Sequence, residues 1–227
     1  MIPRVPPGQI TTHGWPVLHA GSVPHELVPQ TWSLKLHGEV ERPTTLSFAQ
    51  LLSLPQKEVT CDIHCVTSWT KLGMHWRGVP FSAVADAVAP RETVRFVIME
   101  CVQGFTTSLP YEALRDDDVL LAHTVEGAPL PPEHGGPVRA LVPKRYFYKS
   151  AKWLRGLKFA REDEPGFWEV RGYSNIADPW AETRYDVDDV KVIHRMRKGA
   201  LFRPLPPENG PEPRTGSSEQ ESNPSAH

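Results

Sequence analysis

Trp32, Leu34 and Leu36 alternate with Ser33, Lys35 and His37. That period of two places successive side chains on opposite faces of a strand. Ser47 stands where it can cap a short helix with Phe48, Leu51 and Leu52 on one face, stopped by Pro55. Val59, Cys61, Ile63 and Cys65 alternate again and predict a strand leading into Cys65. Residues 81–88 carry a helical pattern, whereas 95–101 (RFVIMEC) is an apolar, β-branched run that predicts a buried strand. Residues 118–125, 138–142 and 153–159 also read as strands. Strands and helices do not alternate regularly, and no glycine-rich phosphate loop follows a strand, which argues against a dinucleotide-binding fold. The expected class is α+β, with mixed β-sheets and short helices.

Both ends differ from this body. From Arg203 the chain runs RPLPPENGPEPRTGSSEQESNPSAH, and residues 201–227 are expected to form a disordered proline-rich tail. Residues 1–29 hold six prolines together with Trp15, Val17 and Leu18, which suggests an arm packed on the body. Residues 30–200 are then one domain, a usual size for a chain of 227 residues. The 25 Lys and Arg balance 27 Asp and Glu, so no field steers the protein toward nucleic acid or an anionic membrane. No apolar stretch is long enough for a membrane-spanning helix. MIPRVPPGQI is not a secretory leader, and three cysteines are too few for a disulfide framework; a cytoplasmic setting is expected.

Four clusters could carry chemistry. In Cys61-Asp62-Ile63-His64-Cys65 a strand would point Cys61 and Cys65 one way and His64 the other. Two thiols on one face are too few for a structural zinc, which needs four ligands. Cys61 and Cys101 read as small buried hydrophobes. Cys65, followed by Thr67, Ser68, Thr70, Lys71 and Arg77, reads as a thiol in a polar and basic loop, where a thiolate would be stabilised. In His134-Gly135-Gly136-Pro137-Val138-Arg139 the glycines permit close backbone approach, and the guanidinium could take a phosphate in two places. Lys144 to Trp153 interleaves four cations with aromatics, as either an anion pocket or a solvated basic face. Trp168 to Tyr173 sets a tyrosine after a turn. Together these suggest a thiolate beside a large phosphate-bearing ligand.

Taken in order, these segments resemble the molybdopterin-binding oxidoreductases of the sulfite oxidase type. CDIHCVTSW resembles the family's strand and loop bearing the molybdenum-ligating cysteine, which implies that role for Cys65. EHGGPVRALVP resembles its pterin-binding segment, which implies cofactor contacts from His134 and Arg139. KSAKWLRGLKF resembles the stretch around the pterin phosphate, with Ser150, Ala151 and Lys152 in contact. WEVRGYSN resembles the stretch bearing the active-site tyrosine, here Tyr173. More loosely, WPVLHAGSVP resembles an N-terminal cofactor strand, with His19 as the contact, and Cys101 stands where relatives place a small polar or acidic contact.

The resemblance implies an enzyme with one molybdenum on molybdopterin, moving an oxygen atom at sulfur or nitrogen and exchanging electrons with a separate redox protein. No Cys-x-x-Cys-His occurs, so no covalent haem is expected. Three features depart from the family. Thr70 stands where sulfite oxidases carry a clamp arginine, and Leu18 where they carry another. Their C-terminal dimerisation domain is expected to be missing, a proline-rich tail standing in its place. Sulfite is therefore expected to be a poor substrate, and an arginine at position 70 is expected to improve it. The alternative function is a zinc-binding or non-catalytic interaction module.

Overall fold

The structure is a computed structural model that describes residues 4–186. The expected tail at 201–227 and the end of the expected domain lie outside the described residues. In chain order the elements are β1 (Ile10–Thr11), β2 (Ser33–Gly38), β3 (Thr44–Ser47), α1 (Phe48–Ser53), β4 (Lys57–His64), β5 (Trp69–Pro80) and α2 (Phe81–Val88). There follow β6 (Phe96–Cys101), β7 (Thr106–Pro110), α3 (Tyr111–Leu114), β8 (Leu120–Val125), β9 (Ala128–Pro129), β10 (Arg139–Leu141) and β11 (Leu154–Ala160). The class is α+β, as the patterning indicates.

Two sheets organise these strands. One runs β3-β2-β11-β6-β7, with β11 parallel to β2 and antiparallel to β6. The other runs β1-β5-β8-β10, with β4 on β5 and β9 on β8. β1 belongs to the N-terminal arm and pairs in parallel with the start of β5, Ile10 opposite Trp69. The alternation at 33–37 is borne out in β2, where Leu34 and Leu36 are buried and Lys35 is exposed. Ser47 forms a full capping box with Gln50 at the head of α1. The run in β6 is apolar throughout because Val97 and Met99 join the main core while Ile98 is buried on the opposite face.

The main core lies between the two sheets and α2, with Leu34, Val84, Val97, Leu121, Leu154 and Phe159 among its members. A second core of Ile63, Met74, Trp76, Leu120, Ala122 and Leu141 covers the other face of the second sheet. Adjacent residues Leu120 and Leu121 thus serve different cores, as the pleat requires. Trp15 from the arm and Phe147 pack against the second core. That packing brings the arm beside the loops that leave β4 and β10.

The longest strand, β5, is a correction. Thr70, Lys71 and Arg77 are not in a loop that follows Cys65; all three belong to this strand. Its inward Met74 and Trp76 are flanked by outward His75 and Arg77, a strand pattern masked by Gly73 and Gly78 and by the charges. Gly78 sits at an irregularity opposite Ala122, where an added Cβ would lie 2.3 Å from the Leu121 carbonyl oxygen. Gly78→Ala is expected to destabilise the protein by about 1–3 kcal/mol through this overlap with backbone. Thermal unfolding checks it, and an unchanged midpoint would mean that the bulge has room for a methyl group.

Candidate functional site

Cys65 ends β4 at a tight turn. Its N–H donates to the Trp69 carbonyl (2.8 Å), and its carbonyl accepts from Ser68 N (3.0 Å) and Gln9 Nε2 (3.0 Å). Ser68 holds φ at 71°, which lets four residues reverse the chain. The thiol lies on the wall of a cavity open to solvent, whose space with the solvent at its mouth is about 980 Å³. Its Sγ meets Thr67 Oγ1 at 3.1 Å. Burial pushes the thiol above its ordinary value, opposed by the Thr67 hydrogen bonds and by the charges of Arg184 and Lys152. The expected stabilised thiolate is thus corrected: Cys65 is buried, its basic neighbours come from distant segments, and the sulfur is a thiol unless a metal displaces its proton.

The floor of the cavity comes from the segments around β10. Arg139 is 1% exposed and lies on the Phe147 ring, with Cζ 4.1 Å from the centroid. Its guanidinium donates to the carbonyls of His134 (2.8 Å), Ser150 (2.6 Å) and Ala140 (3.2 Å). It therefore ties together the two segments singled out in the sequence. Ser150 Oγ accepts from Val142 N, and Ala151 accepts from Ala140 N. Gly135, at φ 105°, packs so closely that a Cβ would lie 3.0 Å from Lys152. Ser150, Ala151 and Lys152 all line the cavity with Cys65.

Lys152 is the cation left for a ligand. Its Nζ donates to the Glu133 carbonyl (2.7 Å), and among the described residues it has no carboxylate partner. Burial and the nearby Arg139 push the ammonium down to about 7. A half-buried ammonium with no ion-pair partner among the described residues is what an anionic group such as a phosphate would stabilise.

Tyr173 closes the opposite wall. It is 5% exposed and sits edge-on to Trp168 (5.2 Å) and Tyr148 (5.6 Å), both also on the wall. Burial, then Tyr185 and Cys65, push its phenol up to about 12, so it is an O–H donor at neutral pH. His19 lines the cavity from the arm, with its ring 5.5 Å from Trp153.

Two expected site residues stand off the wall. His134 lies behind Trp15, whose ring stacks on it at 3.5 Å and 4°. Among the described residues its buried Nδ1 has no hydrogen-bond partner, and burial with Lys152 and Arg139 pushes the imidazole down to about 4. Cys101 ends β6, and burial drives its thiol far up. Thr70 is fully buried and off the wall, with its Oγ1 on His64 Nδ1 (2.9 Å) and Gln9 Oε1 (3.3 Å). Leu18 is on the wall, as an aliphatic residue. Sequence reasoning missed Gln103 and Phe105 on the wall, and Arg184, which donates to the Val66 carbonyl (2.6 Å) beside Cys65. Arg184 lies beyond the quoted segments and carried no local signal.

The zinc alternative does not assemble. Among the described residues no three His, Cys, Asp or Glu side chains converge on a point. His64 is spent on Thr70, and burial pushes the Cys61 thiol up to about 12. The cavity does fit a large anionic ligand with a sulfur-seeking metal. It offers one thiol, one unneutralised ammonium and flat aromatic walls.

Comparison with known proteins agrees. Residues 20–168 match the oxidoreductase molybdopterin binding domain family. The uncharacterized oxidoreductase YuiH of Bacillus subtilis is 43% identical over 185 residues, covering 82% of this chain and 93% of the relative. The sulfane dehydrogenase SoxCD from Paracoccus pantotrophus superposes with a TM-score of 0.56 at 26% identity. That match covers 60% of this chain but only 40% of SoxCD.

Arg139→Ala is expected to lower stability by about 2 kcal/mol or more, because it strands three buried carbonyls. The urea midpoint of ligand-free protein reads this out. An unchanged midpoint would leave Arg139 as a ligand group without a structural duty.

Proposed function

The chain belongs to the molybdopterin-binding oxidoreductase family, and from that premise we propose that it is a molybdenum enzyme acting at sulfur or nitrogen in a small, weakly charged substrate. The observation that carries this is the convergence of the Cys65 thiol, the Lys152 ammonium and the Tyr173 phenol on one cavity. When bound, a molybdenum–pterin group supplies two-electron redox chemistry with transfer of an oxygen atom, and a separate redox protein exchanges the electrons singly. Cys65 would hold the metal through Sγ as a thiolate, a soft donor suited to it. Lys152 neutralises the pterin phosphate, with Ser150 and Ala151 shaping the backbone around it. Arg139 holds that floor in place from beneath. His19 contacts the cofactor from the arm, while His134 and Cys101 support the same region from behind the wall. Tyr173 donates its O–H to the substrate and, with Trp168 and Tyr148, excludes water. The three free cysteines suit a reducing, cytoplasmic setting.

The wall also bears on the substrate. Its charged side chains are Arg139 and Lys152, and Arg139 already serves three carbonyls. Arg171 does not replace the missing clamp, since it lies 3.6 Å over the Phe167 ring and donates to the Phe167 carbonyl. Arg77 is exposed on β5, away from the wall. A doubly charged sulfite ion would find little to hold it. A neutral S- or N-oxide, or an organic sulfur compound, suits the aromatic wall better.

Three outcomes are expected. Purified protein from a host that makes the cofactor carries about one molybdenum per chain, and Cys65→Ser abolishes turnover without unfolding, because it replaces a metal ligand at nearly constant volume. Metal analysis with activity assays checks this, and near-wild-type turnover in Cys65→Ser would refute the ligand assignment. Lys152→Ala loses pterin affinity by about 10- to 150-fold, the value of one charge-assisted contact. Pterin fluorescence after oxidative release measures it, and full occupancy would place the phosphate elsewhere. Sulfite turnover stays poor, and Thr70→Arg does not rescue it, because Thr70 faces His64 rather than the cavity. Efficient sulfite oxidation by either protein in steady-state assays would overturn the substrate reading.

A further inference from the structure

Beside the cavity, and outside the residues just assigned, lies a dry ionic cluster. Lys149 and Glu169 have side chains 0% and 2% exposed, with Nζ 2.5 Å from Oε1. The ammonium also donates to the Ser108 carbonyl (2.8 Å) and to Asn175 Oδ1 (2.8 Å), so its three protons are all placed. Glu169 Oε1 accepts a second bond from Thr107 Oγ1 (2.5 Å), while Oε2 is buried without a partner among the described residues. Asp163 extends the cluster, taking Ser108 Oγ (2.5 Å) on one oxygen and Asn175 Nδ2 on the other.

As a source of stability this cluster is poor. Desolvating two charges offsets most of their attraction, and an unpartnered carboxylate oxygen adds a further penalty. Its location is more informative. Lys149 sits between Tyr148 and Ser150, both on the cavity wall. Glu169 sits between Trp168 and Tyr173, also on the wall. Lys149 reaches the Ser108 carbonyl and Glu169 the Thr107 hydroxyl, both on β7, a strand of the first sheet. The Tyr148 hydroxyl bonds the Ser174 carbonyl, a second tie between the same segments. The segment 166–175 contains one turn of 3-10 helix, at Glu169–Arg171; its backbone meets β7 through Phe167 N on the Thr106 carbonyl and pairs Tyr173 with Tyr185, and the Lys149–Glu169 pair adds the side-chain tie to β7.

We propose that Lys149 and Glu169 are positioning residues that fix Tyr173 and Trp168 against β7 at the distance from Cys65 that turnover requires. This rests on the functional reading above. The pair touches neither cofactor nor substrate; it acts through the tyrosine and the tryptophan. A fully buried Lys–Glu contact has one short geometry, whereas apolar side chains of the same size can slide.

Lys149→Met combined with Glu169→Met removes both charges at similar volume, so neither is left unpaired. Glu169→Gln, which keeps the shape, is the fallback should the double variant not fold. In either variant, amide exchange over residues 166–175 is expected to quicken by about tenfold or more, with β11 unchanged. In loaded enzyme kcat is expected to fall about tenfold or more, with KM and pterin content near wild type. Adding Tyr173→Phe should then do little further harm, since both changes act through one group. Unchanged exchange at 166–175, a uniform rise along the whole chain, or a Tyr173→Phe effect that adds in full would overturn the proposal. The exchange measurement needs no cofactor, so wild-type protein without pterin would refute the functional reading while exchange still decides whether the pair holds the segment.

Discussion

A buried guanidinium bonded to three backbone carbonyls holds the cavity together. Arg139 leaves β10 toward the second core, where no carboxylate among the described residues meets it, and instead gathers the carbonyls of His134, Ala140 and Ser150. Burial lowers its affinity for its proton to about 9, which still leaves it charged at neutral pH. The Phe147 ring beneath it supplies the remaining compensation. Around that anchor the loop 132–136 is fastened to 150–153 by further bonds: Trp153 N to the Gly135 carbonyl, Trp153 Nε1 to the Pro132 carbonyl and Lys152 Nζ to the Glu133 carbonyl. The floor is therefore preorganised before any ligand arrives, and a ligand does not have to order it.

Two titratable groups that face the cavity, Cys65 and Lys152, are held away from their charged forms. Burial raises the Cys65 thiol and lowers the Lys152 ammonium. A ligand bringing a metal to one and a phosphate to the other relieves both at once. Such a site favours a single large, bipolar ligand over separate small ions. The substrate then meets what is left of the cavity, which is mainly aromatic: Trp168, Tyr173 and Tyr148 on one side, Leu18 and His19 from the arm on the other.

Much of this was legible from the sequence. Period-two alternation marked β2 and β4, an unbroken apolar run marked β6, and a serine cap marked α1. Segment resemblance named Cys65, Lys152 and Tyr173, which the fold does bring to one cavity. What the sequence hid follows from long-range pairing. β5 was masked because its glycines and basic residues look like a loop until β4 and β8 flank it on both sides. The duty of Arg139 was invisible because its partners are carbonyls, which carry no sequence signature. Arg184 reaches the Val66 carbonyl across 118 residues of chain, and Gln103 on the wall meets Ser22 of the arm across 81, a closeness only the fold creates. Thr70 could be aligned with a clamp position, yet its side chain turns to His64.

X-ray absorption at the molybdenum edge of purified wild-type and Cys65→Ser protein tests the central claim most directly. If Cys65 holds the metal as proposed, the variant shows about one sulfur neighbour fewer at the metal than the wild type. An unchanged sulfur count, or a wild-type protein that holds no molybdenum, would contradict the account.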